Sequence, residues 1–129
     1  MDDLFVALMT APYAADTVTT VLRLVDAALR RQARVQVWTC GYATTLTART
    51  VGTVKPRDLR DLSAVHPSTA TLVGELLAGY PDRLRWQVCR FCSEDRGVPD
   101  QIPAVSVLDF SKFRSCVRSA RRTVYIGGA

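Results

Sequence analysis

Residues 4–40 read LFVALMTAPYAADTVTTVLRLVDAALRRQARVQVWTC, and their hydrophobic rhythm changes twice. Leu4 to Met9 is an unbroken apolar run of strand length, the pattern of a strand buried on both faces. Pro12-Tyr13 breaks it. Asp16 then stands where a helix N-cap belongs, and Val18, Val21, Leu22, Val25, Ala28 and Leu29 follow at helical spacing. This predicts a helix over about 16–32 with one apolar face, its last-turn Arg30-Arg31 complementing the helix dipole. Arg34 to Cys40 returns to a period of two, with Val35, Val37 and Thr39 alternating against Gln36, Trp38 and Cys40. Strand, helix and strand make a βαβ unit, which requires parallel pairing with a right-handed crossover.

Beyond this unit, Gly41 to His66 is weakly patterned, with Pro56 inside it and a short helix expected near Ala43 to Arg49. A segment that long in a small domain is functional or an interface. Pro67-Ser68 opens a helix whose Leu72, Val73, Leu76, Leu77 and Tyr80 share a face, and Gly79 and Pro81 stop it. Leu84 to Cys89 reads as the third strand. Ile102 to Leu108 is apolar but interrupted by Pro103, hence an edge strand or an extended connection. Asp109 can cap a helix carrying Phe110, Phe113, Val117 and Ala120, and Thr123 to Ile126 is a closing strand. The expected fold is a single α/β domain over residues 1–129: a mostly parallel sheet of four to five strands flanked by helices, layered as in Rossmann and flavodoxin-like proteins.

Composition narrows the function classes. Hydrophobic residues make up 48% and charged residues 22% of 129, which fits a globular chain and not a disordered one. The net charge of +5 comes from arginines in scattered groups, Arg30-Arg31 with Arg34, Arg57 with Arg60, Arg83 with Arg85, and Arg118 with Arg121-Arg122. No basic stripe interleaved with aromatics emerges, so nucleic acid is not an expected partner. The acidic start, Met1-Asp2-Asp3, and the short apolar run after it suit neither a signal peptide nor a membrane span. A cytoplasmic location is expected, where the four cysteines stay reduced rather than forming structural disulfides.

The chemistry is concentrated in WQVCRFCSEDRGV, Trp86 to Val98. A strand runs into Cys89 and Cys92 at C-x-x-C spacing, placing thiols at a strand end among backbone N–H donors and arginines. Those surroundings favour thiolate, with Arg90 and Arg96 as supporting cations. Cys40 closes the second strand as Cys89 closes the third, and the carboxyl ends of parallel strands are where open α/β sheets do chemistry. In the common order that sets the first strand between these two, their backbones lie about 10 Å apart, so Cys40 lines the same edge without being in bonding reach. Cys116, beside Val117 on the final helix, is a packing residue.

Several readings stand beside one another. Cys89 and Cys92 suit a redox pair, although thioredoxin-like chains carry theirs near the first βαβ unit. Zinc needs four ligands, usually from two close pairs; here there is one pair, with Cys40, Cys116 and the lone His66 remote in sequence, so no metal is expected. No glycine-rich nucleotide fingerprint occurs, so no cofactor is expected either. His66 precedes a helix start and serves better there than in a Ser-His-Asp site. The plainest alternative is two small hydrophobes buried at a strand end.

Taken together, the order of elements resembles the DsrE/DsrF-like family, which includes the TusD-like sulfur-relay proteins. The resemblance rests on Ala11-Pro12-Tyr13 after the opening strand, Cys89 at a later strand end with Arg96-Gly97-Val98 following, and a final helix leading to a short hydrophobic strand. It implies a sulfur carrier or sulfurtransferase in which Cys89 holds sulfane sulfur as a persulfide. It also implies donor and acceptor proteins as partners, and a homo-oligomer or hetero-oligomer. The chain departs from the family in Arg90, Phe91, Cys92 and Glu94-Asp95, where small residues are usual, and the additional Cys92 would resolve a persulfide into a disulfide. Cys89 is then expected to be the most reactive thiol, with Arg90, Arg96, Gly97 and Cys40 supporting it.

Overall fold

The computed structural model describes residues 1–12, 16–56 and 58–127. Tyr13 of the expected first turn and Arg57 of one arginine group lie outside the described residues. Five strands, β1 (Asp2–Leu8), β2 (Val35–Thr39), β3 (Leu84–Cys89), β4 (Ser106–Leu108) and β5 (Ala120–Ile126), form one sheet in the order β4-β3-β2-β1-β5. Every neighbouring pair is parallel, as the βαβ reading required. The α helices are α1 (Thr17–Arg30), α2 (Thr69–Gly79), α3 (Arg90–Asp95) and α4 (Phe113–Ser119).

The period-two alternation sorts the side chains onto two faces. Val6, Leu8, Val35, Val37, Leu84, Trp86 and Val88 point to the side covered by Val18, Val21, Val25 and Leu29 of α1 and Val73 of α2. Phe5, Ala7, Trp38 and Cys89 point to the other side, where Phe113, Cys116 and Val117 of the shorter α4 pack on them. Phe113 meets Phe5 and Trp38 edge-on, at ring centroid distances of 5.5 and 5.6 Å, a favoured aromatic geometry. Because α4 has only seven residues, part of this face is polar instead: Gln36, Gln87 and Asp2 are buried there, with Arg85 bonded to Asp2 at 2.5 Å.

Several local expectations need adjustment. Asp16 occupies the α1 N-cap without a side-chain cap bond, whereas Ser68 does cap α2 by accepting from the Thr71 N–H at 3.2 Å. The helix expected near Ala43 to Arg49 is a pair of 3-10 turns, Gly41–Thr47 and Arg49–Val51. The threonines explain the tighter winding, since Thr44 and Thr45 donate back to the carbonyls of Gly41 and Tyr42 at 2.8 and 2.7 Å. Such local bonds compete with α-helical ones. Of Ile102 to Leu108, only Ser106–Leu108 pairs, at the sheet edge beyond Pro103.

Candidate functional site

Strand order decides the site. The expected arrangement put β1 between β2 and β3; instead β2 and β3 are direct neighbours, with Thr39 opposite Val88. The residue after β2 is Cys40 and the last residue of β3 is Cys89, so two thiols meet at the carboxyl edge of adjacent strands. Cys89 is also the N-cap of α3, which carries Cys92 back one turn onto the same spot. The sulfurs of Cys40, Cys89 and Cys92 all lie within 4.8 Å of one another. The separation expected from sequence is therefore overturned, and Cys40 is a full member of the cluster.

The electrostatics differ from the expectation as well. Burial pushes the Cys89 thiol up from its ordinary value; the N–H of Cys92 favours the thiolate but does not offset the burial. Cys40 is pushed up to about 12, again by burial first, with the Trp38 indole N–H opposing and the neighbouring sulfurs adding repulsion. The two arginines expected to depress these values are engaged elsewhere. Arg90 donates to the Val107 carbonyl at 3.4 Å, while Arg96 pairs with Asp95 at 2.5 Å and lies over the Tyr42 ring, 4.9 Å from its centroid. Cys89 is 1% exposed, whereas Cys40 and Cys92 each keep partial exposure. Of the C-x-x-C pair, Cys92 is thus the thiol that solvent reaches, while Cys89 lies beneath it.

Other parts of the motif hold the site in shape. Arg96-Gly97-Val98 is the stop signal of α3: the Gly97 N–H bonds to the Glu94 carbonyl at 3.1 Å and the Val98 N–H to the Ser93 carbonyl at 2.8 Å. This is the Schellman pattern, and it needs the left-handed φ of +72° at Gly97. Gly41, at φ +58°, turns the chain directly after Cys40. Cys116 stands apart on α4, where its sulfur accepts from the Gln36 amide at 3.1 Å, consistent with a packing role.

Two residues that matter here were not singled out from sequence. Trp38 donates its Nε1–H to the Cys40 sulfur at 2.9 Å. The signal was present, because residues two apart on a strand share a face. Gln101 is buried and ties the segment after α3 to the 3-10 turn after Cys40. Its amide donates to the carbonyls of Thr44 and Val98 at 3.0 and 2.8 Å, and its carbonyl accepts from the Thr47 hydroxyl at 2.6 Å. Nothing in the local pattern around Gln101 announces that clamp.

No protein-family model and no curated protein sequence matches this chain. Among solved structures, the ychN protein from E. coli superposes with a TM-score of 0.75 at 21% identity, over 98% of this chain and 100% of that one. The chain shares the fold of ychN. A protein of unknown function from Methanobacterium thermoautotrophicum, MTH1491, gives a TM-score of 0.64 at 12% identity over the same shares. At such identities the likeness to ychN and MTH1491 is one of architecture, the five-stranded parallel sheet with helices on both faces. Among the described residues, no helix is long and apolar enough to cross a membrane.

Proposed function

We propose that the chain is a cytoplasmic sulfur carrier of the sulfur-relay kind, holding sulfane sulfur as a persulfide within the three-thiol cluster. The observation that carries this reading is the convergence of Cys40, Cys89 and Cys92 within 4.8 Å at the carboxyl edge of the sheet. Cys92 is the entry thiol and Cys89 the holding one. The Cys92 thiolate attacks the outer sulfur of a donor persulfide, forming Cys92–S–SH and releasing the donor thiolate. Cys89, deprotonated, then attacks that outer sulfur, the S–S bond at Cys92 breaks, and Cys92 recovers a thiolate. Burial of Cys89 shields the product from water and small thiols until an acceptor protein takes the sulfur.

Tyr42 and Phe91, 58% and 63% exposed, flank the cysteines in sequence and offer apolar contact to a donor or acceptor protein. The test is intact mass of the reduced protein after incubation with a sulfane-sulfur donor. A gain of one sulfur that peptide mapping places on Cys89, and that in Cys89→Ser stays on the more exposed Cys92 where small thiols strip it, supports the carrier. A loss of two hydrogens without sulfur gain would favour a C-x-x-C redox module, and no change would leave a non-catalytic binding subunit.

A further inference from the structure

We infer that Cys40, Cys89 and Cys92 also form a binding site for one thiophilic divalent cation of the zinc type, with a fourth position left open. In sequence the chain offers zinc a single close cysteine pair; the adjacency of β2 and β3 supplies the third sulfur. A zinc–thiolate bond is about 2.3 Å, so two thiolates on a tetrahedral ion stand about 3.8 Å apart. Sulfurs already within 4.8 Å reach that spacing by side-chain rotation of about 1 Å or less.

The donor set selects the ion. All three donors are sulfur, which suits zinc and its soft relatives and not magnesium or calcium. The choice of a divalent ion follows from charge. With Arg90 and Arg96 engaged elsewhere, a 2+ ion leaves the three-thiolate centre with a net charge of −1, whereas a 1+ ion would leave −2 in a half-buried site. The Trp38 indole N–H on the Cys40 sulfur is the type of surrounding bond that orients a thiolate ligand, and the Gln101 clamp fixes the two segments that carry the ligands. Three protein ligands and an open position are the format of zinc sites that accept an exchangeable ligand. Binding is balanced as three thiols and one M2+ giving one M(S-Cys)3 centre and three protons, so affinity rises with pH. The inference stands apart from sulfur carriage, because the ion and the sulfane sulfur compete for the same atoms.

The experiment is anaerobic titration of the reduced full chain with Zn(II) against a competing chelator, with bound metal counted by native mass spectrometry. The expected result is one zinc per chain with release of three protons. Cys40→Ser and Cys92→Ser should each weaken binding by at least about tenfold, while Cys116→Ser is unchanged. Circular dichroism of each variant confirms that it is folded. Absence of zinc at equimolar chelator, or equal affinity in Cys40→Ser and the parent, would overturn the inference. Sulfane-sulfur loading of the chelator-stripped parent, measured alongside, tests the carrier reading separately.

Discussion

The indole Nε1–H of Trp38 points along its own strand face at the sulfur of Cys40, 2.9 Å away. It is a hydrogen bond from the hydrophobic core into the thiol cluster, and it works against the burial that holds Cys40 neutral. Trp38→Phe removes the donor while keeping an aromatic ring. We expect the Cys40 thiol to ionise at still higher pH and its alkylation at mildly alkaline pH to slow. Stability should fall by about 1–3 kcal/mol for the lost volume in a packed core. Peptide-resolved alkylation rates and urea unfolding measure the two effects.

The raised Cys40 value has a definite sign in stability. The folded protein keeps this proton over the interval from the ordinary 9.0 to about 12, while the unfolded chain loses it. The contribution is therefore complete below pH 9 and declines as pH rises through the interval. Partial exposure of Cys40 makes the decline modest. Unfolding of the parent and of Cys40→Ser should show the parent losing more stability between pH 8 and pH 11; parallel curves would contradict the assignment.

Accessibility orders the thiols. Cys92 should react first with a bulky alkylating reagent in the native state, with Cys89 and Cys116, both buried, protected until unfolding. In sulfur loading, Cys92→Ser should slow uptake from a protein donor by about tenfold or more, as an entry step does when its nucleophile is removed. With a small polysulfide that variant should still load Cys89, but slowly, because Cys89 is buried. Equal loss of extent in Cys89→Ser and Cys92→Ser would point to a single inseparable pair.

Gln101→Ala leaves the Thr47 hydroxyl and the Thr44 and Val98 carbonyls without their buried partner. A cost of about 2–3 kcal/mol is expected. The two cysteine-bearing segments should loosen together, so Cys40 should be alkylated faster even under conditions where the protein remains folded.

Assembly is the remaining expectation. Val54, Leu59, Leu62 and Val65 in the long connection are all more than half exposed, and Tyr125 of β5 is 62% exposed. Apolar surface on this scale suits contact with further copies of the chain. Light scattering at micromolar concentration should give a mass above that of one chain, and Leu59→Asp with Leu62→Asp should reduce it.

Much of this molecule could be read from its residues. The strands with continuous or alternating apolar character, β1, β2 and β3, were legible because burial imposes their period directly. The C-x-x-C at the end of β3 was legible for the same reason. What failed was strand order, which depends on how crossovers pack rather than on any local pattern. That one relation moved Cys40 from a distant neighbour to a contact. The arginines misled for a related reason. Proximity in sequence suggested charge stabilisation, but a guanidinium goes to whichever acceptor the fold offers, here a carbonyl and a carboxylate. Arg96-Gly97-Val98 was noticed as a motif, and its physical content is a helix stop.

The pairing of β5 with β1 joins Asp2 to Ala120 and Leu8 to Ile126. In chain order β1 and β2 precede β5, so β1 can pair with β2 while its other side still awaits residues 120–126. Throughout that interval β1 presents bare N–H and C=O groups along its outer side, a template for any extended segment nearby. The chain is thus open to mispairing one strand away from the thiols until β5 takes its place.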